Sequence, residues 1–498
     1  MQLGIIFGMF IYFIAVILIV GYYVNKKRKQ DEDGSFALGG RSLGTFVLGF
    51  SLVFIILGSG HTIAVFEGAY HLGFGQVWFV IAHGFLLVIV CVFTGIWARR
   101  MRVTSLGEII KKLYGEQLTV LIASLNIIVG WVVVSAETQA TGVIVNALTG
   151  LNLNVAALIG GLAGMLYVLI GGMKQNAILN FINIIVFYFS FALATFFIAR
   201  GLPGRNFDTI QTFYVESGQS VLLSFTGGPG FLLLVALPSL LSPLFCHATG
   251  QIMLQTCMSA KNEKVIRRAA FFVGPMNALV GVFAVTLALT AKALPEYAHF
   301  DPKVMTTQML VDLLPTWLLV VMLAALFGAI VSSYAGFVLG SATCLAVDFV
   351  KGLYKPNMTE RELAKWIRIF LVIGSLVGIS LAQALPPIIM LFVWLFSFLV
   401  PVFFVYLYGL WWKRNLKVGI LACVVPWILS TLWTFTPIAG MLGLQDLHHL
   451  YITLFIGNAI LIIGNLVTKG EVGYFRSQEY FNSEGYKMYL EEKARGDA

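Results

Sequence analysis

The chain has 498 residues, 59% of them hydrophobic and 11% charged, with a mean hydropathy of +0.89. A water-soluble globule of that composition lacks the polar residues to cover its surface, so one all-α, bilayer-embedded domain is expected. The net charge of +9 would suit nucleic acid, but all Lys and Arg except Arg200, Arg205, Lys292 and Lys303 fall in alternate segments between apolar runs. That asymmetry is the positive-inside pattern, and it leaves nucleic-acid binding without support.

In chain order the apolar runs predict spans near 3–24, 43–70, 75–97, 117–147, 153–171, 176–199, 226–256, 267–291, 317–346, 366–383, 386–411, 418–438 and 450–468. The first has no basic residue before it and Lys26-Lys27-Arg28-Lys29 after it, opposite to a signal peptide, so it is read as a retained N-terminal helix. Thirteen spans put the N-terminus outside and the C-terminus inside a cell membrane. The tail 469–498 is polar and mixed in charge and is expected to be a solvated helix or a flexible end. Cys91, Cys246, Cys257, Cys344 and Cys423 lie scattered in apolar runs without CxxC spacing, so neither a disulfide framework nor a zinc site is expected.

Two spans look interrupted. The run 43–70 carries Gly58-Ser59-Gly60-His61-Thr62 at its middle, and 226–256 carries Pro238-Ser239 and Ser242-Pro243. Paired glycines permit an unwound backbone, and proline removes a donor and disfavours helix before it. Each broken span opens a set of five, 43–199 and 226–411, followed by two additional spans over 418–468. Since five is odd, the second set enters the membrane inverted, the pattern of a transporter with its site at the midplane. Helix packing alone also accounts for glycine and proline in membrane spans.

Five blocks now carry a family resemblance: LGGRSLGTFVLGFSL at 38–52, TSLGEIIKKLYG at 104–115, QATGVIVNALTGLN at 139–152, YVLIGGMKQNAILNFIN at 167–183 and LAALFGAIVSSYAGFVLGSATCLAVDFVK at 323–351. In this order they resemble the sodium/solute symporters related to the bacterial proline, pantothenate and sialic acid transporters and the sodium/glucose transporters. The resemblance implies a LeuT-type core of ten helices in two inverted sets of five, with sodium as coupling ion and no other cofactor.

Ala329, Ser332 and Ser333 stand at i, i+3 and i+4 and share one helix face. Neutral oxygens suit a hard cation, although such serines also glue helices together. By resemblance this face binds sodium with the carbonyls of Phe54 and Leu57. A second sodium position found in some relatives is changed here, to Ala335, Gly336 and Asn180, so one sodium per cycle is expected.

Ionisable groups inside spans are costly and point to function. Glu137 lies deep in the third core helix, His61 adjoins the first break, His83 lies in the second core helix, and His247 follows the prolines. Resemblance sets His61 and His83 at positions that contact solute in sugar-transporting relatives and aligns Gln139 with a family position. The break residues Gly58, Gly60, His61 and Thr62, with His83, Glu137, Gln139 and His247, are therefore the candidate solute contacts. Imidazole donors and free amides of a broken helix lean toward a small organic anion or zwitterion. His61 or Glu137 handling protons is the alternative, as is structural hydrogen bonding. Glu67 and Tyr70 end the first core helix at the outer face, where gating and simple wetting are the two readings and the wet one is favoured.

No HExxH motif, clustered carboxylates or nucleophile–base set supports an enzyme. The expected function is sodium-coupled symport of a small organic solute by alternating access, with the protein acting as a monomer.

Overall fold

In a bilayer every backbone N–H must be paired within the chain, which turns each long apolar run into helix. The computed structural model describes residues 37–171, 173–384 and 388–497, with isolated positions between 11 and 22. The predicted span 3–24 lies outside the continuously described residues.

The first core span is split into α1 (Thr45–Ile56) and α2 (Ile63–Leu72). Next come α3 (Val77–Ile89), continued through a π turn into α4 (Gly95–Arg100), and a short amphipathic helix α5 (Leu106–Tyr114), capped by Ser105. The long helices α6 (Glu116–Thr149), α7 (Leu153–Gly171) and α8 (Met173–Gly201) complete the first five, and the short α9 (Asp208–Glu216) follows. The sixth core span is α10 (Leu237–Ala248) with α11 (Gln251–Met258), bent by 48°. It is followed by α12 (Glu263–Ala293), α13 (Pro302–Leu313), α14 (Thr316–Cys344) and α15 (Glu360–Leu381). The tenth is α16 (Ile388–Ser397) with α17 (Val400–Trp411), and α18 (Leu416–Phe435) and α19 (Leu450–Val467) lie beyond it. Among the described residues nine helices are long and apolar enough to cross a membrane, ten if the bent pair is one span.

Packing joins members five apart in this order: α3 on α12, α6 on α14, and α7 on α15. Small residues allow the close approaches. A Cβ added at Gly161 of α7 would stand 2.7 Å from Ile379 of α15 and 2.9 Å from Thr138 of α6. This accounts for the Gly160-Gly161 pair by packing.

The first break falls where the paired glycines predict it. Leu57 and Gly58 leave helical geometry, Ser59–His61 form a single 3-10 turn, and Thr62 is again non-helical. The second break does not lie at the prolines. Pro238 follows a π turn, Leu232–Ala236, that runs without a break into α10 and takes up the proline, and α10 continues through Pro243. The chain turns instead at Thr249 and Gly250, whose ψ of 133° is extended.

The tail is also unlike its expectation. Strand β1 (Lys413–Arg414) pairs antiparallel with β2 (Glu471–Val472), and helix α20 (Glu484–Ala494) docks against the basic end of the bundle. Arg99 at the end of α4 donates to both carboxylate oxygens of Glu492 at 3.0 and 2.7 Å and to the carbonyls of Ala260 and Lys261. Arg100 pairs with Glu263 at 2.6 Å and lies 4.1 Å from the Tyr489 ring centroid. Arg414 pairs with Glu471 and Glu479. Mixed charge in the tail therefore marks complementarity to a basic surface.

Candidate functional site

The first break brings two clusters to opposite sides of one turn. Helices α6 and α14 form the first side. Glu137 of α6 is buried, and its Oε2 accepts the Ser59 N–H at 2.8 Å. Ser333 of α14 donates its hydroxyl to the Ile55 carbonyl. Gly58 lies between them: a Cβ there would stand 2.5 Å from Glu137 Oε1 and collide with Ser333 Oγ. Glycine is thus required by close approach, and carboxylate and hydroxyl press on one α-carbon.

Ala329, Ser332 and Ser333 are all buried on the face of α14 turned to α1 and α8. Ser332 donates to Asn180 Oδ1 at 2.5 Å, and Asn180 Nδ2 reaches Ser51 Oγ at 3.4 Å. The carbonyl that Ser333 meets is that of Ile55, between the expected Phe54 and Leu57, both of which flank the site at the end of α1. Sequence reasoning missed Ile55 because a carbonyl carries no residue signature. It also missed Ser51, an isolated hydroxyl in an apolar run.

The second side is a row of imidazoles. His61 and His83 stand edge to face with centroids 4.4 Å apart, and His83 and His247 are 5.5 Å apart. Rings of Phe79, Phe392 and Phe396 flank the row, and Phe392 also lies against Gly60. His83 Nδ1 is 2.8 Å from the Phe79 carbonyl. A carbonyl only accepts, so Nδ1 carries the hydrogen and the neutral ring presents Nε2 as an acceptor. Among the described residues neither nitrogen of His61 nor either amide atom of Asn277, on α12, makes a hydrogen bond of good geometry, although His61 and Asn277 lie close enough to interact and the Ile56 carbonyl is near the ring. Buried polar atoms left this way require a ligand or water to complete them. Sequence reasoning missed Asn277 because neither charge nor resemblance singles it out; an isolated amide in the apolar stretch 269–285 of α12 is the signal that finds it.

The backbone amides of the break are largely spoken for. Ser59 N–H goes to Glu137, His61 N–H to the Gly58 carbonyl, and Thr62 N–H to the Ser59 carbonyl, while Thr62 Oγ1 donates back to Gly58. The free amides that favoured an anion are therefore mostly occupied. Gln139 is turned away from both clusters and donates to the Ala382 carbonyl at 3.1 Å. Glu67 is buried, so the wet reading does not hold for it. Tyr70 is held by Lys292, whose ammonium donates to its carbonyl and lies 4.5 Å from its ring centroid. Cys246 Sγ is 4.0 Å from His247 Nδ1, and no three metal-binding side chains converge among the described residues.

A cavity of about 20 Å³, room for one water, lies between Asn126, His247, Gln251 and Phe337. Beyond it Gln251 Oε1 accepts the Leu106 N–H, Arg41 donates to the Met258 and Val103 carbonyls, and Ser105 donates to Asp348 at 2.5 Å.

A sequence model described as the sodium:solute symporter family matches residues 36–425. The chain belongs to the sodium:solute symporter family. The symporter is 24% identical to a bovine sodium/myo-inositol cotransporter 2 over 93% of this chain and 76% of that protein. It is 24% identical to the sodium/pantothenate symporter of Escherichia coli over 93% of this chain and 97% of that one. It is 22% identical to a sodium/glucose cotransporter of Vibrio parahaemolyticus over 90% and 88%. Its fold matches that of a Na+-coupled sialic acid symporter in a substrate-bound outward-open state, with a TM-score of 0.77 at 17% identity over 94% and 99%. A nucleobase-cation-symport-1 family transporter matches at a TM-score of 0.59 and 14% identity, covering 91% and 98%. The symporter is thus a multi-pass membrane protein of the LeuT type, and its relatives are sodium-coupled transporters.

Proposed function

We propose that this symporter couples sodium entry to uptake of a small polar solute that donates several hydrogen bonds, a neutral polyol or a zwitterion. The observation that carries this reading is the shared turn: Gly58 to Thr62 touches Ser333 and Glu137 on one side and brings His61 into the imidazole row on the other.

In this reading sodium takes oxygens from Ala329, Ser332 and Ser333 and from carbonyls of the Phe54–Leu57 segment, with Ile55 the nearest. Its binding draws Ser333 off the Ile55 carbonyl and fixes the turn that holds His61 against His83. Solute affinity then rises with sodium, and by reciprocity sodium affinity rises with solute. One sodium per cycle fits Asn180, a neutral amide bonded to Ser332. Inward movement of that charge gains about 2.3 kcal/mol per 100 mV of membrane potential.

The solute lies among His61, His83, His247 and Asn277, with Phe79, Phe392 and Phe396 as apolar walls. His83 Nε2 as an acceptor and the occupied amides of the break favour a solute bearing hydroxyl or ammonium donors over a bare carboxylate. The relatives' names span both chemistries: myo-inositol and glucose are neutral polyols, pantothenate and sialic acid are anions. The basic end is taken to face the cytoplasm, with 43–199 and 226–411 as inverted sets, the C-terminus inside and the protein working as a monomer.

Replacing sodium by choline at constant pH tests coupling, since unchanged uptake would remove the sodium mechanism in favour of protons. A thermal-shift panel of polyols, amino acids and carboxylic acids, run with sodium, tests the solute. Stabilisation by carboxylic acids alone would overturn the donor-bearing class.

A further inference from the structure

Glu137 was a candidate for solute contact, yet its carboxylate is turned to the other side of the turn. One oxygen takes the Ser59 N–H and the other adjoins Gly58 beside Ser333 Oγ. The groups around it are the hydroxyl of Ser333 and the backbone and hydroxyl of Ser59 in the break; among the described residues no cationic side chain acts on it. A buried carboxylate met only by the neutral donors of Ser59, with no counter-charge, is costly. A sodium ion held by neutral oxygens brings an uncompensated positive charge into the same interior. Each is what the other lacks, and the geometry sets both against Gly58.

We propose that Glu137 is the counter-charge of the coupling-ion site: its carboxylate faces the ion held at Ala329, Ser332 and Ser333 and sets the affinity for sodium. The inference rests on the sodium reading above and adds to it an anionic group on α6. It also explains why the chain has glycine at 58, since a side chain there would separate carboxylate from hydroxyl. The same carboxylate caps the second half of the broken helix through Ser59, so sodium held against it is linked to the turn that bears His61. Glu137 in this role is an ion contact and a positioning residue for the turn.

Glu137→Gln separates charge from cap, because the amide oxygen still accepts the Ser59 N–H. Sodium is titrated against the melting midpoint and intrinsic fluorescence of purified protein without solute, with choline keeping ionic strength constant. The expected result is that Glu137→Gln raises the half-saturating sodium concentration about tenfold or more while leaving the sodium-free protein no less stable. Glu137→Asp, which keeps the charge on a shorter stem, is expected to fall between the two and provides the reading should the glutamine variant not fold. Wild-type sodium titration in both variants would overturn the proposal. So would an unchanged sodium titration with weakened solute binding, which would return Glu137 to the solute pocket. Ser333→Ala separates the two readings: a sodium titration unaffected by that change overturns the ion site and this inference together. Loss in Ser333→Ala with none in Glu137→Gln overturns the inference alone.

Discussion

Arg99 and Glu492, 393 positions apart, form a two-pronged ion pair whose side chains are only 4% and 5% exposed. Glu492 also accepts the Glu263 N–H, so the tail is tied to the ends of α4 and α12 at once. Removing one partner of a buried pair leaves the other unpaired, at a cost of about 3 kcal/mol or more. Glu492→Ala should therefore lower the melting midpoint in detergent clearly, and Glu492→Gln by less. An unchanged midpoint would mean that the tail helix is held by its aromatic contacts alone.

The sequence reveals what depends on local chemistry. Membrane spans follow from runs of apolar residues, and the break at Gly58-Ser59-Gly60 follows from paired glycines that have no role in a straight helix. The second break was misread because Pro238 and Pro243 are louder signals than a single Gly250, while only the backbone angles tell which of them bends the chain. Tail docking was hidden because α20 looks like any solvated polar helix until Arg99 and Arg100 are opposite it. His61, His83 and His247 were each legible as buried ionisable groups. That they form one row, and that Asn277 joins it, depends on how α2, α3, α10 and α12 pack.

Ser332 and Ser333 make different bonds and should fail differently. Ser333→Ala removes the hydroxyl beside Gly58 and should weaken sodium about tenfold or more, as loss of a charge-assisted oxygen contact does. Ser332→Ala strands Asn180 Oδ1 and should cost stability as well. The double substitution should abolish sodium-stimulated uptake in vesicles while membrane insertion continues. Persisting stimulation would move the ion elsewhere.

His448 and His449, just before α19, are held neutral by burial, with pKa values lowered to about 3 and about 4 from 6.5. His449 Nε2 meets Ser397 Oγ and the Trp394 carbonyl, which ties α16 to the start of α19. Between pH 6.5 and 4 the unfolded chain binds more protons than the folded one, so stability falls as pH falls through that window. The expected loss is no more than about 3 kcal/mol from each group. His449→Gln should flatten the dependence of the melting midpoint on pH between 7 and 4; an identical slope would assign the acid sensitivity to other groups.

Asn277 offers the sharpest separation of recognition from stability. Both of its amide atoms are buried without a hydrogen bond of good geometry among the described residues, His61 being the polar side chain nearest to hand, and it is the one polar side chain between Ala269 and Val285 of α12. Such an amide weakens an empty protein by about 1 to 3 kcal/mol, and only a bound solute or water offsets this. Asn277→Val, which removes the amide while adding only about one methylene of volume, should therefore raise the melting midpoint of the solute-free protein. The same change should remove the further rise that a transported solute produces, because the solute loses its partner beside His61. Sodium titrated alone should behave as in the wild type, since Ser333 and Glu137 lie across the turn from Asn277. A less stable variant that still responds fully to solute would assign Asn277 to the packing of α12 and take it out of the pocket.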